Sequence, residues 1–221
     1  GRLAALLRAG GHAGGIAPAS RLDAPTSGVI PLALGGERSA ASQWLNVQFA
    51  ARRVCKEYLC LCSGPSLGPV GSVGDIDRPL LTTEADRHGP WVVVSPSGKT
   101  ARTHYQVLET FRWPGLKEDV LTLLRVQPRT GRRHQIRAHL ADIGCPLLGD
   151  EAYGGISRAG EIYCPRLFLH CRRLSLVDLA GNRFEPEAPL PGDLQDLLRL
   201  LRRSGAAARR TTDGRDAHGQ A

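Results

Sequence analysis

Two short stretches of the chain carry side chains able to do chemistry. The first is PASRLDAPTSGVIPLALG, residues 18 to 35, where Arg21 and Asp23 stand just ahead of an apolar run. Two opposite charges placed there invite a chemical reading. The same residues also fit an ordinary turn, with Asp23 and Thr26 bonding loop amides ahead of a strand over 29–34. The second stretch is PRTGRRHQIRAHLADIGCPLLGDEAYGG, residues 128 to 155. A helix over 133–143 would line up Ile136, Leu140 and Ile143 as a core stripe, with Gly144 ending it and Pro146 beyond. Arg133 and Arg137, four apart, would then share a face near a helix start, where backbone amides also favour anions. That pair suits a phosphate or a carboxylate, or forms a solvated basic face, and spacing alone does not decide between them.

Other chemistries are excluded on spacing. Gly98-Lys99-Thr100 resembles the end of a phosphate-binding loop, but the first glycine should fall at position 93, which is Val, and a strand is expected to follow. His134 and His139, five apart, lie roughly 140° around a helix and cannot share a metal. His170 and Cys171 are adjacent in an expected strand and point to opposite faces. No GxSxG occurs. The six cysteines, at 55, 60, 62, 145, 164 and 171, lack the density and spacing of a disulfide framework. They read as small buried hydrophobes in a reducing, intracellular compartment.

The elements that must position these residues form a mixed order. Leucines at 3, 6 and 7 predict a short helix ending at Gly10-Gly11, which leads into the Arg-Leu-Asp loop. Residues 37–54 predict a second helix with Trp44, Val47, Gln48 and Ala51 on one side. CKEYLCLCSG alternates as a strand with Cys60 and Cys62 on one face. Residues 65–90, rich in Gly, Pro and Asp, read as a long connection. Residues 91–111 read as a hairpin about a Ser-Pro-Ser-Gly turn, and DVLTLLRVQP as a further strand.

Composition bounds the partners. The chain is 42% hydrophobic and 23% charged, enough for one sizeable core. With 29 Lys and Arg against 21 Asp and Glu the net charge is +8 and the pI near 9.6, which favours a polyanion. Part of that excess sits in the last stretch, where apolar residues run out, so residues 1–200 are expected to form one domain and 201–221 a flexible basic tail. No apolar run reaches the roughly 20 residues that a membrane helix needs, and no membrane partner is expected. The chain starts at Gly1 and contains no Met, so an incomplete N-terminus is expected.

Five ordered matches carry a resemblance: RLDxxTSG at 21 to 28, KEY at 56 to 58, GKxAxTxYxVLE at 98 to 109, PxTGRxHQIRxHLxxxGxPLxGDxxYG at 128 to 154, and RLFLHCRRL at 166 to 174. Over residues 1 to 190 the chain resembles the RluA-type family of RNA pseudouridine synthases. The resemblance implies an α/β fold of the α+β type: a mixed, largely antiparallel sheet with flanking helices and a basic cleft. It also implies isomerisation of uridine to pseudouridine in ribosomal or transfer RNA by a monomer, with no cofactor or metal.

By the same resemblance Asp23 is the catalytic carboxylate, as nucleophile or in a glycal route, and Arg137 its cationic partner. Tyr58 stacks on the target uracil, although a strand Tyr packed on a sheet face is the plainer reading. Arg21 replaces the nucleotide flipped out of the RNA, Arg132 and Arg133 contact phosphate, and Leu169 walls the base unless it is simply core. The chain departs from the family at Ser20 and Cys145, where histidines are common. It also lacks the opening strands with their Lys-Pro-x-Gly motif, which are therefore expected to be missing. A catalytically weak RNA-binding paralogue is the alternative that this departure suggests.

Overall fold

A computed structural model describes residues 15–86, 89–112, 120–159 and 162–213 of the chain. The helix expected over residues 1–11 lies outside them. In chain order the elements are β1 (Ile16–Pro18), β2 (Ser27–Gly28), β3 (Leu32–Leu34), α1 (Ala40–Ala50), β4 (Cys55–Gly64), β5 (Val73–Asp77), β6 (Leu80–Asp86), β7 (Gly89–Val94), β8 (Arg102–Arg112) and β9 (Val120–Pro128). Then come α2 (Gln135–Asp142), a 3-10 turn (Glu151–Tyr153), β10 (Arg158–Ala159), β11 (Ile162–Tyr163), β12 (Leu169–Val177), β13 (Arg183–Phe184) and α3 (Gly192–Asp213).

A seven-stranded sheet in the order β13-β12-β4-β9-β8-β5, with β2 alongside β12, is the frame. All its pairings are antiparallel except β2 with β12, so the sheet is mixed and largely antiparallel as expected. The alternation read in CKEYLCLCSG holds. Tyr58, Cys60 and Cys62 join Leu124, Val126, Ile136 and Leu140 in one core, while Leu61 joins Leu121, Leu123, Leu194 and Leu198 in another. Helix α2 thus covers one face and α3 the other. A bulge between Val107 and Glu109 moves β8 half a step, so that Val107 packs in the first core and Phe111 in the second. Cys60, Cys62, Cys145, Cys164 and Cys171 are buried, and Cys55 is exposed.

Four local expectations are corrected. The span 65–90 contains strands β5 and β6, because its Gly-Pro-Asp composition hid pairings made with distant strands. The turn closed by Gly98 N–H on Ser95 O exists, but β7 pairs with β6 rather than β8, and β8 pairs with β5 and β9. Helix α3 runs past residue 201 to Asp213, and Leu201 is buried, so the segment expected as tail begins inside a helix. On α1 the buried residues are Ser42, Leu45 and Gln48, whereas Val47 is 57% exposed and Ala51 lies beyond the helix end. Gln48 and Trp44 do act together, since the Gln48 amide exchanges two hydrogen bonds with Val177 (both 2.8 Å) and the Trp44 indole donates to Val177 O (2.8 Å).

His139 ties α2 to the strands beneath it. Its Nε2 donates to Arg78 O (2.9 Å), and its Nδ1 accepts from the Thr103 hydroxyl (2.8 Å), which in turn accepts from Gln135. Burial pushes this imidazole below its ordinary value of 6.5. The unfolded chain therefore takes up the proton first as pH falls, so this contribution to stability is present above about 6.5 and is lost below it. Urea unfolding midpoints should fall as pH drops from about 7 to about 5.5, and the slope should shrink in His139→Gln. An equal slope in both proteins would contradict this placement.

Candidate active site

The Arg-Leu-Asp loop is fixed by the residues immediately after it. Thr26 N–H closes a turn on Asp23 O (2.8 Å), and Ser27-Gly28 then lie parallel to His170-Cys171 of β12, with Val29 N–H on Cys171 O (2.9 Å). Gly28 has φ +122, and a Cβ there would fall 2.1 Å from Cys171 O, so only glycine permits this approach. The loop is pinned again from below. Arg166 donates to Ser27 Oγ (3.3 Å) and Pro25 O (3.4 Å) while forking onto Asp193 at the start of α3 (2.7 and 3.2 Å). Cys171 in turn pairs with Tyr58 of β4. One register thus sets Asp23 and Tyr58 beside each other.

Helix α2 brings the arginine. It starts later than the sequence suggests, at Gln135, with His134 ahead of it in the left-handed region (φ 48). Arg133 is therefore outside the helix and does not share a face with Arg137, which corrects the expected pair. Arg137 is buried and forks onto Asp150, Nε to Oδ2 at 2.8 Å and Nη2 to Oδ1 at 2.7 Å. Its Nη1 is left 3.8 Å from Asp23 Oδ2. The two charges distant in sequence do meet, but the hydrogen bonds belong to Asp150. Burial works against the Arg137 charge, and Asp150 with help from Asp23 outweighs it, holding the guanidinium above its ordinary value.

Asp150 and Tyr153 have no role assigned from sequence, although both lie in the GDxxYG portion of the long motif. Tyr153 lays its ring under Arg137, 4.7 Å from centroid to guanidinium carbon. Its hydroxyl meets His134 Nδ1 at 2.9 Å and accepts from Val92 N–H at 3.2 Å. His134 Nε2 faces Asp23 Oδ1 at 3.9 Å. Burial pushes this imidazole down, against the pull of Asp23, and Arg137 and Arg133 add to the lowering.

Asp23 lines three hollows, two of which gather the residues singled out from sequence. One, about 360 Å³, is lined by Arg21, Tyr58, Arg132, Arg133, His134, Ile136 and Leu169 among others. The second, of similar volume, is lined by Arg21, Trp91, Arg133, Arg137 and Tyr153. The other six residues singled out from sequence therefore line the hollows onto which the Asp23 carboxylate opens. Among the described residues, Asp23 is the sole acidic side chain lining the first hollow, against Arg21, Arg52, Lys56, Arg129, Arg132 and Arg133. Such a lining attracts an anion. Burial, with Cys171 and Asp23 nearby, pushes the Tyr58 phenol well above its ordinary value, so it stays protonated. Arg132 is partly committed, donating from Nε to Thr100 O at 3.1 Å. Arg133 Nε and Thr26 Oγ1 have no partner among the described residues. Lys56, in sequence only one residue of a strand, also faces the hollow. It sits 5.0 Å from the Phe49 ring centroid, and burial lowers its pKa below the ordinary value.

Residues 2–142 match the family described as RNA pseudouridylate synthase. The chain belongs to this family, in its RluA-type branch. An uncharacterized RNA pseudouridine synthase of Chloroflexus aurantiacus is 40% identical over 182 residues, covering 82% of this chain and 52% of that protein. The ribosomal large subunit pseudouridine synthase D of Pseudomonas aeruginosa is 38% identical over 201 residues, 85% of this chain and 57% of that protein. The protein of that name from Escherichia coli is 34% identical over 194 residues, 82% and 54%. The chain thus spans about half the length of the curated relatives it matches. Among solved structures, Human RNA Pseudouridylate Synthase Domain Containing 1 superposes with a TM-score of 0.66 at 28% identity, covering 80% of this chain and 70% of that one. Human RNA Pseudouridylate Synthase Domain Containing 4 gives 0.61 at 26%, covering 85% and 76%.

In this pseudouridine synthase fold the Arg137–Asp150 fork is a buried ion pair whose halves depend on each other. Asp150→Ala should cost about 3–5 kcal/mol, because it strands a buried guanidinium. Asp150→Ala with Arg137→Met should recover much of that loss in urea unfolding. A single-variant cost under about 1 kcal/mol, the range of an exposed pair, would show that the fork contributes no such constraint.

Proposed function

We propose that this chain isomerises uridine to pseudouridine in RNA, with ribosomal RNA the first substrate class to test, since the Pseudomonas and Escherichia relatives are ribosomal large subunit enzymes. The observation that carries the reading is Asp23. It is a carboxylate facing Arg137 and His134, at the mouth of a basic hollow walled by Tyr58 and Leu169.

The reaction breaks the bond between C1′ and N1, turns the base, and joins C5 to C1′; C5 then loses its hydrogen as a proton, and N1, which left with the bonding pair, takes one up. Product and substrate are isomers, so no oxidant, reductant or second substrate enters the balance. Asp23 acts at the sugar, either as nucleophile at C1′ or in a glycal route, and is a carboxylate again at the end. Arg137 keeps a positive charge at its edge throughout. Tyr58, held as the phenol, offers a flat face to the uracil opposite Leu169. Arg21 enters the duplex where the base leaves it, and Arg132 and Arg133 take the flanking phosphates. Tyr58 and Leu169 are thereby given a role beyond packing, which their place on the hollow's wall supports. The chain is proposed to act as a monomer and, given its five buried thiols, in a reducing compartment.

Asp23→Asn removes the reactive charge and keeps every phosphate contact. Nucleosides from treated RNA, separated by chromatography, should contain pseudouridine with the native protein and none with Asp23→Asn, while both proteins bind the RNA within about threefold of each other. Loss of binding in step with turnover would assign Asp23 to binding, and RNA binding without product by either protein would assign the cleft to recognition alone.

A further inference from the structure

His134 adopts a backbone conformation that non-glycine residues seldom hold, φ 48, immediately before α2. Strain of this kind persists where neighbours fix the residue, and it clusters at functional sites. The neighbours here are specific. The Tyr153 hydroxyl accepts from Val92 N–H (3.2 Å), so its own hydrogen is directed to His134 Nδ1 (2.9 Å), the other polar atom recorded at that hydroxyl. With Nδ1 accepting, the imidazole carries its hydrogen on Nε2, the nitrogen that faces Asp23 Oδ1 (3.9 Å). The carboxylate leads to the same assignment by a separate route: it can only accept, and a bare nitrogen lone pair turned toward it would be repelled.

We propose that Tyr153 is a positioning residue that holds His134 as the Nε2–H tautomer, so that Asp23 meets one donor on each oxygen, His134 on Oδ1 and Arg137 on Oδ2. The same ring supports both donors, since its face lies under Arg137 and its edge contacts the imidazole (centroids 5.7 Å, 85° between planes). Neither donor is within hydrogen-bond distance of Asp23 in the free protein (3.9 and 3.8 Å). Contacts of this kind tighten when substrate closes the site. The carboxylate is therefore aimed without being occupied, and its lone pairs stay available for the sugar. When Asp23 gives up its bond to the substrate, two donors receive the returning charge.

The groups that face His134 are Asp23, Arg133, Arg137, Asp150 and Tyr153. Burial is the largest influence on this imidazole and favours its neutral form, which is the form whose tautomer matters. The inference rests on the reading of Asp23 as the catalytic carboxylate, and one of its measurements needs no RNA.

The test compares the native chain with Tyr153→Phe, which keeps the ring and loses the hydroxyl. Long-range proton–nitrogen correlation spectra of the histidine rings, recorded on RNA-free protein near pH 7.5, should show His134 protonated at Nε2 in the native chain and a mixture of tautomers in Tyr153→Phe. With RNA, kcat should fall about tenfold and KM stay within about twofold. His134→Gln places an amide donor near the Nε2 position and should keep most of the activity, whereas His134→Leu should lose it as Tyr153→Phe does or more. A native His134 protonated at Nδ1 overturns the proposal, as does a Tyr153→Phe protein with unchanged tautomer and unchanged kcat. If no RNA is turned over by the native chain, the functional reading fails, and the nitrogen shifts still decide whether Tyr153 holds the tautomer.

Discussion

The site depends on one buried guanidinium that must satisfy two carboxylates. Arg137, on the buried face of α2, has little access to water, where an uncompensated charge is costly. Asp150 supplies that compensation through both oxygens, at 2.7 and 2.8 Å. The arginine is thereby anchored by Asp150, and it presents the remaining edge of its fork to Asp23. Had Asp23 been its only partner, the pair would close into a fork and commit the Asp23 lone pairs that the proposed reaction needs free. Separating the carboxylate that holds the arginine from the one proposed to react resolves the conflict between burying an arginine and using its charge.

The surrounding fold serves that division of labour. The parallel step of β2 along β12 carries Asp23 in from one side, and the absence of a side chain at Gly28 allows it. The antiparallel register of β12 with β4 puts Tyr58 opposite Cys171, next to that step. From the other side, α2 lowers Arg137 onto the sheet, and the loop through Asp150 and Tyr153 rises to meet it. Gly149 permits that loop's approach, since it adopts φ +76 and a Cβ there would fall 2.2 Å from Arg166 O. Arg166 then ties the same loop region to the Arg-Leu-Asp turn through Ser27 and to α3 through Asp193. Sheet register and two tight glycine positions therefore fix the distances between groups spread over more than a hundred residues.

Much of this was legible where the physics is local. Period-two alternation marked both faces of β4 and the placement of Cys60 and Cys62, and period 3.6 marked the core stripe Ile136 and Leu140. Pairing choices were not legible, because a β-branched run such as 91–94 suits any partner and finds β6 only through the tertiary fold. The same holds for β5, whose Gly-Asp-rich sequence reads as loop until β8 lies beside it. At the site, the resemblance implied that Asp23 and Arg137 meet, and they lie 3.8 Å apart, whereas Asp150 looked like any loop aspartate. A carboxylate between two glycine-rich turns shows its purpose only when the guanidinium it holds is in place. The spacing of His134 speaks only against a shared metal, and its actual contacts come from a left-handed backbone that no spacing rule anticipates.

The measurement that tests the account most directly is release of tritium from RNA whose uridines are labelled at C5, because that hydrogen leaves only when C5 has become the new glycosidic carbon. The account predicts time-dependent release by the native chain, proportional to the pseudouridine formed. RNA held tightly in the basic cleft with no tritium released would contradict it.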